Sequence, residues 1–398
     1  MSDLAATVAT HSTAVLLAHD STSDATSFSY DTLLTNCRIA TCANHSNTKF
    51  GLLPNETENC IAIHNGIIVY VGPRSGLGSE SESTSGSQLA GSPIASVTTH
   101  DLNNAIVTPG LIDCHTHVVY GGNRVGEWEL KLKGATYEEV ANAGGGIVNT
   151  VKGTRSATVE ELVESARPRI EAMLKEGVTC IEIKSGYGLD LQTERNMLLA
   201  ATQLGKEYAQ IDVIRTFLGA HAVPNEFKGR ADEYIDVVLS TLRVLHAEGL
   251  VDCVDAFCET VGFTVEQTER VFDLAKELAL NIRLHGDQLH DFGGASLAAK
   301  YSALSCDHCE HTSAEGVQAM ADAKTVAVLL PTATFFIKEK ARPPVQLFRE
   351  KNVPMALATN CNPGSSPCVS LLLCMNMGCT LMGLTPEESL YGVTRNAG

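Results

Sequence analysis

Pro109-Gly110-Leu111-Ile112-Asp113-Cys114-His115-Thr116-His117-Val118-Val119 decides the fold: an apolar run entered through Pro-Gly ends on two histidines separated by one residue. Residues i and i+2 of an extended chain point to the same face. Two imidazoles so placed can share one divalent ion at ~2.0–2.1 Å each. The question is then what lies downstream of such a strand.

Seven more apolar runs of strand length follow the first, which spans Ala105–His117. They are Gly177–Gly186, Asp212–His221, Val251–Glu259, Asn281–Gln288, Ser302–His308, Thr325–Ala333 and Pro354–Asn360. Val326-Ala-Val-Leu-Leu330 is apolar without alternation, as strands buried on both faces of a parallel sheet are. The segments between carry helix start signals. Thr158-Val-Glu-Glu161, Thr264-Val-Glu-Gln267 and Thr385-Pro-Glu-Glu388 fit capping boxes, the last with Pro at the first helical position. Eight β/α units over ~290 residues match a (β/α)8 barrel. A doubly wound open sheet is the runner-up, weakened by the lack of a Gly-rich phosphate fingerprint after the first strand.

Polar residues then fall at one place in the pattern. The runs end in Asp113-Cys-His115-Thr-His117, Lys184-Ser-Gly-Tyr187, Gly219-Ala-His221, His285-Gly-Asp-Gln288, Asp307-His308 and Thr359-Asn360-Cys-Asn362. Barrel active sites sit at the C-terminal ends of the strands. His285 is the best third ligand beside His115 and His117, and three protein ligands leave a position open for water. His221 and His308 fit ligands, proton carriers or substrate contacts alike. Lys184 invites a carbamylated bridge between two metals, but an ion-paired lysine is preferred. Arg124, in Gly121-Gly-Asn-Arg124, suits a bidentate clamp on a substrate carboxylate. Gly144-Gly-Gly-Ile147 reads equally as an anion-binding turn or a loop over the site.

The first hundred residues differ. Residues 1–28 are rich in Ser, Thr and Ala without period, as in a mobile tail. Residues 29–104 read as a small β domain, with a hairpin at Asn65-Gly66 and a Ser/Gly-rich loop over 75–93. The barrel takes 105–398. The 398 residues carry 29 Lys+Arg against 46 Asp+Glu, a net charge of −17, which excludes nucleic acid and anionic membranes as main partners. Thirteen scattered cysteines read as reduced thiols of a cytoplasmic protein. No apolar run is long enough to span a membrane.

The residues that carry the strand ends also carry a resemblance. Pro109-Gly-Leu-Ile-Asp113 leading into His115-Thr-His117 is similar to the amidohydrolase superfamily. Within it the chain resembles the imidazolonepropionase family. The segments that carry this are Gly134-Ala-Thr-Tyr137, Ala143-Gly-Gly-Gly-Ile147, Ile183-Lys-Ser-Gly-Tyr-Gly-Leu189, Phe217-Leu-Gly-Ala-His221, Arg283-Leu-His-Gly-Asp-Gln288, Leu329-Leu-Pro331 and Asn362-Pro-Gly-Ser-Ser366. The resemblance runs from about residue 30 to the end. It implies an α/β fold, a TIM-like barrel beside a small β-sandwich domain. It implies metal-dependent hydrolysis of the cyclic amide of 4-imidazolone-5-propanoate to N-formimidoyl-L-glutamate, in histidine degradation. By resemblance His115, His117, His285 and residue 360 hold one Zn or Fe ion. Arg124, Tyr187, His221, Gln288, Asn362, Gly364 and Ser365 contact the substrate, and residue 360 accepts the proton; with the strand-end reading, Gln288 and His308 join residue 360 in the catalytic roles. A homodimer is the default for such enzymes.

Two departures accompany the resemblance. The family carries Asp where this chain has Asn360. An amide coordinates through its oxygen but carries no charge and cannot act as a carboxylate base. Family members also continue past a segment like Thr394-Arg-Asn-Ala397, and their later strands complete the small β domain, so its C-terminal strands are expected to be missing. Another cyclic amidohydrolase or aminohydrolase on the same barrel, or a non-catalytic homologue that keeps the pocket, are the alternative readings.

Overall fold

A computed structural model describes residues 30–43, 48–54, 58–77, 97–134 and 145–398. The tail at 1–28, most of the Ser/Gly-rich stretch at 75–93 and residues 135–144 lie outside the described residues. The chain divides into two compact units, Met1–Pro109 and Gly110–Gly398.

In the first unit, strands β1 (Thr32–Ile39), β2 (Asn59–His64), β3 (Ile67–Pro73) and β4 (Thr98–Val107) form one sheet in the order β3-β2-β1-β4. The β2–β3 hairpin turns at Asn65-Gly66, both at positive φ (51° and 79°), the pair a tight two-residue turn requires. Each face of the sheet buries its own cluster: Leu33, Cys60, Ala62 and Leu77 on one, Cys37, Ile39, Ile61 and Ile63 on the other.

In the second unit, β5 (Leu111–Asp113), β6 (Val178–Lys184), β7 (Asp212–Ala220), β8 (Cys253–Cys258), β9 (Asn281–Gly286), β10 (Ser305–His308), β11 (Val326–Leu329) and β12 (Met355–Leu357) pair in parallel in chain order, an 8-stranded sheet. The Thr116–Cys361 bridge closes the ring, with His117 N–H donating to Cys361 O at 2.9 Å and Asn360 N–H to His115 O at 3.0 Å. All three expected capping boxes are formed, at Thr158/Glu161, Thr264/Gln267 and Thr385/Glu388.

Every barrel strand is shorter than the run expected from the sequence, and in two of them a proline sets the limit. Ala105–His117 is not one strand. Its first residues extend β4, where Ala105, Ile106 and Val107 pair with Cys37, Arg38 and Ile39. Pro109, which has no backbone donor, ends that ladder, and β5 starts at Leu111. Likewise β11 stops at Leu329, because Pro331 opens a helix over Pro331–Phe336. Among the described residues no helix is long and apolar enough to cross a membrane.

One buried group in the barrel joins several charges. Glu182, Lys184, Asp255, Arg283 and Asp307 are all buried. Lys184 Nζ lies 2.6 Å from Glu182 Oε1 and 2.8 Å from Asp255 Oδ2, so it is an ion-paired lysine. These carboxylates raise its affinity for a proton despite burial.

Candidate metal centre and active site

The backbone ladder that closes the barrel also sets the histidines. His115 and His117 flank the bridged Thr116, whose O accepts from Lys184 N–H at 3.0 Å, so the segment is held extended from both sides. Their imidazoles meet that of His285, from β9. One nitrogen from each of the three lies within 4.8 Å of the others. All three rings are buried.

Carboxylates from neighbouring strands take the outer nitrogens. His115 Nδ1 is 2.6 Å from Asp307 Oδ2, and His285 Nδ1 is 2.9 Å from Asp255 Oδ2. The first is a hydrogen bond that fixes the His115 tautomer with its proton outward and the Nε2 lone pair inward, and the second is an ion-pair contact that turns His285 Nδ1 towards its carboxylate. Among the described residues His115 Nε2, His117 Nδ1 and His285 Nδ1 make no hydrogen bond, and the Nε2 atoms of His117 and His285 face each other at 3.4 Å. Burial, Lys184 and the neighbouring rings hold the His115 and His117 imidazoles well below the ordinary histidine range. Burial also lowers His285, against the pull of Asp255. Neutral, inward-facing, unpartnered nitrogens fit a divalent cation and offer little else.

The other predicted residues surround this cluster. His221 stacks on His117 with ring centroids 5.4 Å apart, and Tyr187 lies 5.7 Å from His117 and 5.3 Å from His221. His221 Nδ1 is 2.9 Å from Gly186 O, and burial pushes its pKa down to about 3, so the ring is neutral. His308 is buried, 5.5 Å from His285 between ring centroids, with Nδ1 3.6 Å from Glu310 Oε2. Gln288 is half-buried in the bend after β9. That bend is held by Asp287, whose carboxylate accepts from Gly294 N–H (2.8 Å), Ala295 N–H (3.0 Å) and Thr312 Oγ1 (3.1 Å).

The loop after β12 builds the opposite wall. Asn360 is buried at φ +51°, a conformation Asn tolerates better than most side chains. Its Oδ1 accepts from Asn362 Nδ2 at 3.2 Å. Asn362 Oδ1 accepts from Gly364 N–H (2.8 Å) and Ser365 N–H (2.7 Å), so Asn362 shapes its own turn. Gly364 faces Arg124 so closely that a Cβ would sit 1.8 Å from Nη1. Arg124 is itself tied down: its Nε donates to Glu127 Oε2 at 2.8 Å, its Nη2 donates to the other oxygen, and Gly146 N–H donates to Oε2 at 2.8 Å. The guanidinium edge that Glu127 leaves is Nη1.

Several residues that organise the site are not in the expected set. Asp255 and Asp307 orient the histidines, Glu127 orients Arg124, and Glu194 gathers the backbone N–H groups of Gly186, Gly188 and Leu189 to present Tyr187. Asp255 had a signal: a charge in the middle of the apolar run Cys253–Cys258 demands a buried partner. Cys306-Asp-His-Cys309 is a Cys-x-x-Cys spacing, against the expectation that the chain has none, and its two buried thiols bracket His308.

No family model matches the chain. Solved structures give the fold. A triazine hydrolase variant superposes with a TM-score of 0.65 at 17% identity, over 92% of this chain and 81% of that one. The 5-methylcytosine deaminase from Klebsiella pneumoniae gives 0.64 at 14% identity, over 92% and 85%. Curated relatives are far nearer in sequence. The imidazolonepropionase of Ruegeria pomeroyi is 52% identical over 351 residues, 88% of this chain and 83% of that protein. That of Roseobacter denitrificans is 51% identical over 366 residues, 92% and 87%. With identity of this order over most of both chains, the chain belongs to the imidazolonepropionase family.

Proposed function

We propose that the chain hydrolyses the ring amide of 4-imidazolone-5-propanoate to N-formimidoyl-L-glutamate, with one divalent ion, zinc or iron, held by His115, His117 and His285. The observation that carries the reading is the convergence of those inward-facing nitrogens opposite an arginine pinned by Glu127 and Gly364. When bound, the ion supplies Lewis-acid polarisation of the ring carbonyl and of a water. Everything else is done by side chains. Arg124 receives the propanoate through Nη1. Tyr187, His221 and Gln288 orient the ring, and Asn362, Gly364 and Ser365 shape the wall against which it rests. Asn360 lends its amide oxygen to the ion's side of the pocket but takes no proton. The proton from water then goes to His308, and Glu310 Oε2, 3.6 Å from Nδ1, stabilises the imidazolium formed.

Asn360 favours a second reading, a homologue that keeps the pocket without the chemistry. Metal analysis with a turnover assay on wild type and Asn360→Asp separates the two. The first reading expects about one ion per chain and loss of the imidazolone absorbance. It also expects turnover to rise in Asn360→Asp by up to ~10²–10⁴, the usual worth of a general base. If both metal-loaded proteins leave the substrate untouched, the catalytic reading fails. We further assign the enzyme to the cytoplasm as a homodimer acting on a small carboxylate substrate, with no nucleic-acid or membrane partner. The thirteen free cysteines and the net charge of −17 support this.

A further inference from the structure

Glu259 is a buried carboxylate to which the proposed chemistry gives no role. It follows β8 directly, and the pairing of β8 with β9 sets Phe257 beside His285 and Cys258 beside Gly286. Glu259 therefore stands where β9 passes into the bend over 287–290, which carries Gln288. Its own backbone is pinned: its N–H donates to Phe263 O at 3.1 Å, and its O accepts from Gly262 N–H at 2.9 Å. That turn closes tightly, since a Cβ at Gly262 would lie 2.5 Å from Phe257 O.

From this anchor the carboxylate reaches across to the neighbouring bend. Oε2 accepts from Leu289 N–H at 2.9 Å and from His290 N–H at 3.1 Å. Oε1 accepts from Thr260 N–H at 2.8 Å and lies 2.9 Å from His290 Nδ1. The Glu259 side chain is 0% exposed, whereas that of His290 is 59% exposed. Burial opposes the charge, but these donors outweigh it and hold the carboxyl below its ordinary range, so both oxygens act as acceptors. Asp287 grips the bend from its other end. It sits at φ +53°, and besides its side-chain contacts its O accepts from His311 N–H at 2.8 Å. Gln288 is thus the one residue between two anchors. Among the described residues no hydrogen bond holds its side chain, so the backbone sets where its amide points.

We propose that Glu259 is a positioning residue: its carboxylate fixes the backbone that follows Gln288 and so aims the Gln288 amide at the substrate ring. A buried charge bonded to the N–H groups of a single bend is costly. The arrangement makes sense if that bend must not drift, because misplacing a positioning group by about 1 Å can cost ~10²-fold in rate. Arg124 still holds the propanoate when the bend drifts, so the loss falls on kcat and spares KM.

The target of Gln288 rests on the proposed function, whereas the hold of Glu259 on the bend is read without turnover. Amide hydrogen exchange and steady-state kinetics are measured on metal-loaded full-length protein. In Glu259→Ala the amides of Leu289 and His290 should exchange at least ~10-fold faster, while those of Gly294 and Ala295, bonded to Asp287, keep wild-type protection. In the same variant kcat per bound metal should fall at least ~10-fold with KM within about threefold of wild type. On a Gln288→Ala background the change should lower kcat by less than about twofold further, because the group it aims is gone. His290→Ala keeps both backbone hydrogen bonds and should leave kcat within about twofold of wild type. Should Glu259→Ala not fold, Glu259→Gln, which keeps one acceptor oxygen, should show the same pattern at smaller size. Unchanged exchange at Leu289 and His290 overturns the hold on the bend. A loss carried by KM, or one that multiplies fully with that of Gln288→Ala, overturns the link to Gln288. Wild-type protein that never turns over the substrate counts against the proposed function, and the exchange result then decides whether Glu259 fixes the bend.

Discussion

Gly364→Ala tests the arginine clamp with the smallest change available. A Cβ at 364 would lie 1.8 Å from Arg124 Nη1 and 2.7 Å from Cζ, against an ordinary contact of 3.4 Å or more. The guanidinium must therefore retreat by about 1.6 Å to reach normal packing. Gly364 has no positive φ, so the change tests space rather than backbone conformation. The displaced group is the end of a flexible side chain, so the fold yields at small cost and the melting temperature should barely move. Function should not yield so easily. Arg124 is held on its far side by Glu127, itself fixed by Gly146 N–H, so a retreat breaks the alignment of Nη1 with an incoming carboxylate. A hydrogen bond between charged groups contributes ~1.5–3 kcal/mol. Losing it corresponds to roughly a 10- to 150-fold fall in kcat/KM, carried mostly by KM because the carboxylate is remote from the reacting bond. Steady-state kinetics on the imidazolone substrate reads this directly. A KM within about twofold of wild type, in protein of unchanged metal content, would refute both the clamp and the reason for a glycine at 364.

Other outcomes follow from the same contacts. Arg124→Ala should raise KM at least ~10-fold; an unchanged KM argues for a substrate without a carboxylate and hence for a different amidohydrolase. Asp255→Asn removes the partner of His285 Nδ1 and one of the partners of Lys184, so metal affinity, read by chelator competition, should fall ~10–100-fold. The same variant should lose ~3–5 kcal/mol of stability, because a buried cation is left undercompensated; wild-type affinity and stability together would refute the orienting role. Alkylation of Cys368 by iodoacetamide, followed by peptide mapping, should rise with pH to a half-maximum at about 7, not 9.0, because Cys374 stabilises the thiolate more than burial and Glu176 oppose it. In Cys374→Ser that half-maximum should move upward.

The sequence carried the parts of this site that depend on local geometry and hid those that depend on closure. An i, i+2 histidine pair at a strand end is legible because strand periodicity alone puts both rings on one face. The capping boxes are legible for the same reason, each being complete within four residues. Asp255, Asp307 and Glu194 are different. Their partners lie 30, 192 and up to eight residues away (His285, His115 and Gly186), and the first two meet only when the strands share a barrel. The split of Ala105–His117 was hidden by composition, since the residues on both sides of Pro109-Gly110 are apolar and only their pairing partners differ. Arg124 was legible as a candidate, but nothing in the sequence singles out Glu127, three residues on, as its partner. That pairing is what leaves only one guanidinium edge for a ligand.

The histidine cluster itself poses a problem that limits what it can be for. His117 and His285 present Nε2 atoms to each other at 3.4 Å; a proton on His117 Nε2 closes that gap as a hydrogen bond, whereas with both rings protonated on Nδ1 the two lone pairs need a bridging positive charge. A proton is one bridge. Burial, Lys184 and the surrounding imidazoles all oppose it, and they hold His115 and His117 well below the ordinary histidine range. A water is another, but it brings only two protons to a cluster of acceptors from three rings. A divalent cation satisfies every inward lone pair at once, and the surrounding carboxylates are disposed to receive it. Glu182, Asp255 and Asp307 stand against Lys184 and Arg283 in the barrel interior, an excess of one negative charge close behind the rings. That excess matters more here than where an aspartate stands at position 360. With Asn360 the inner wall is uncharged, so the attraction for a cation must come through the outer carboxylates that orient the histidines.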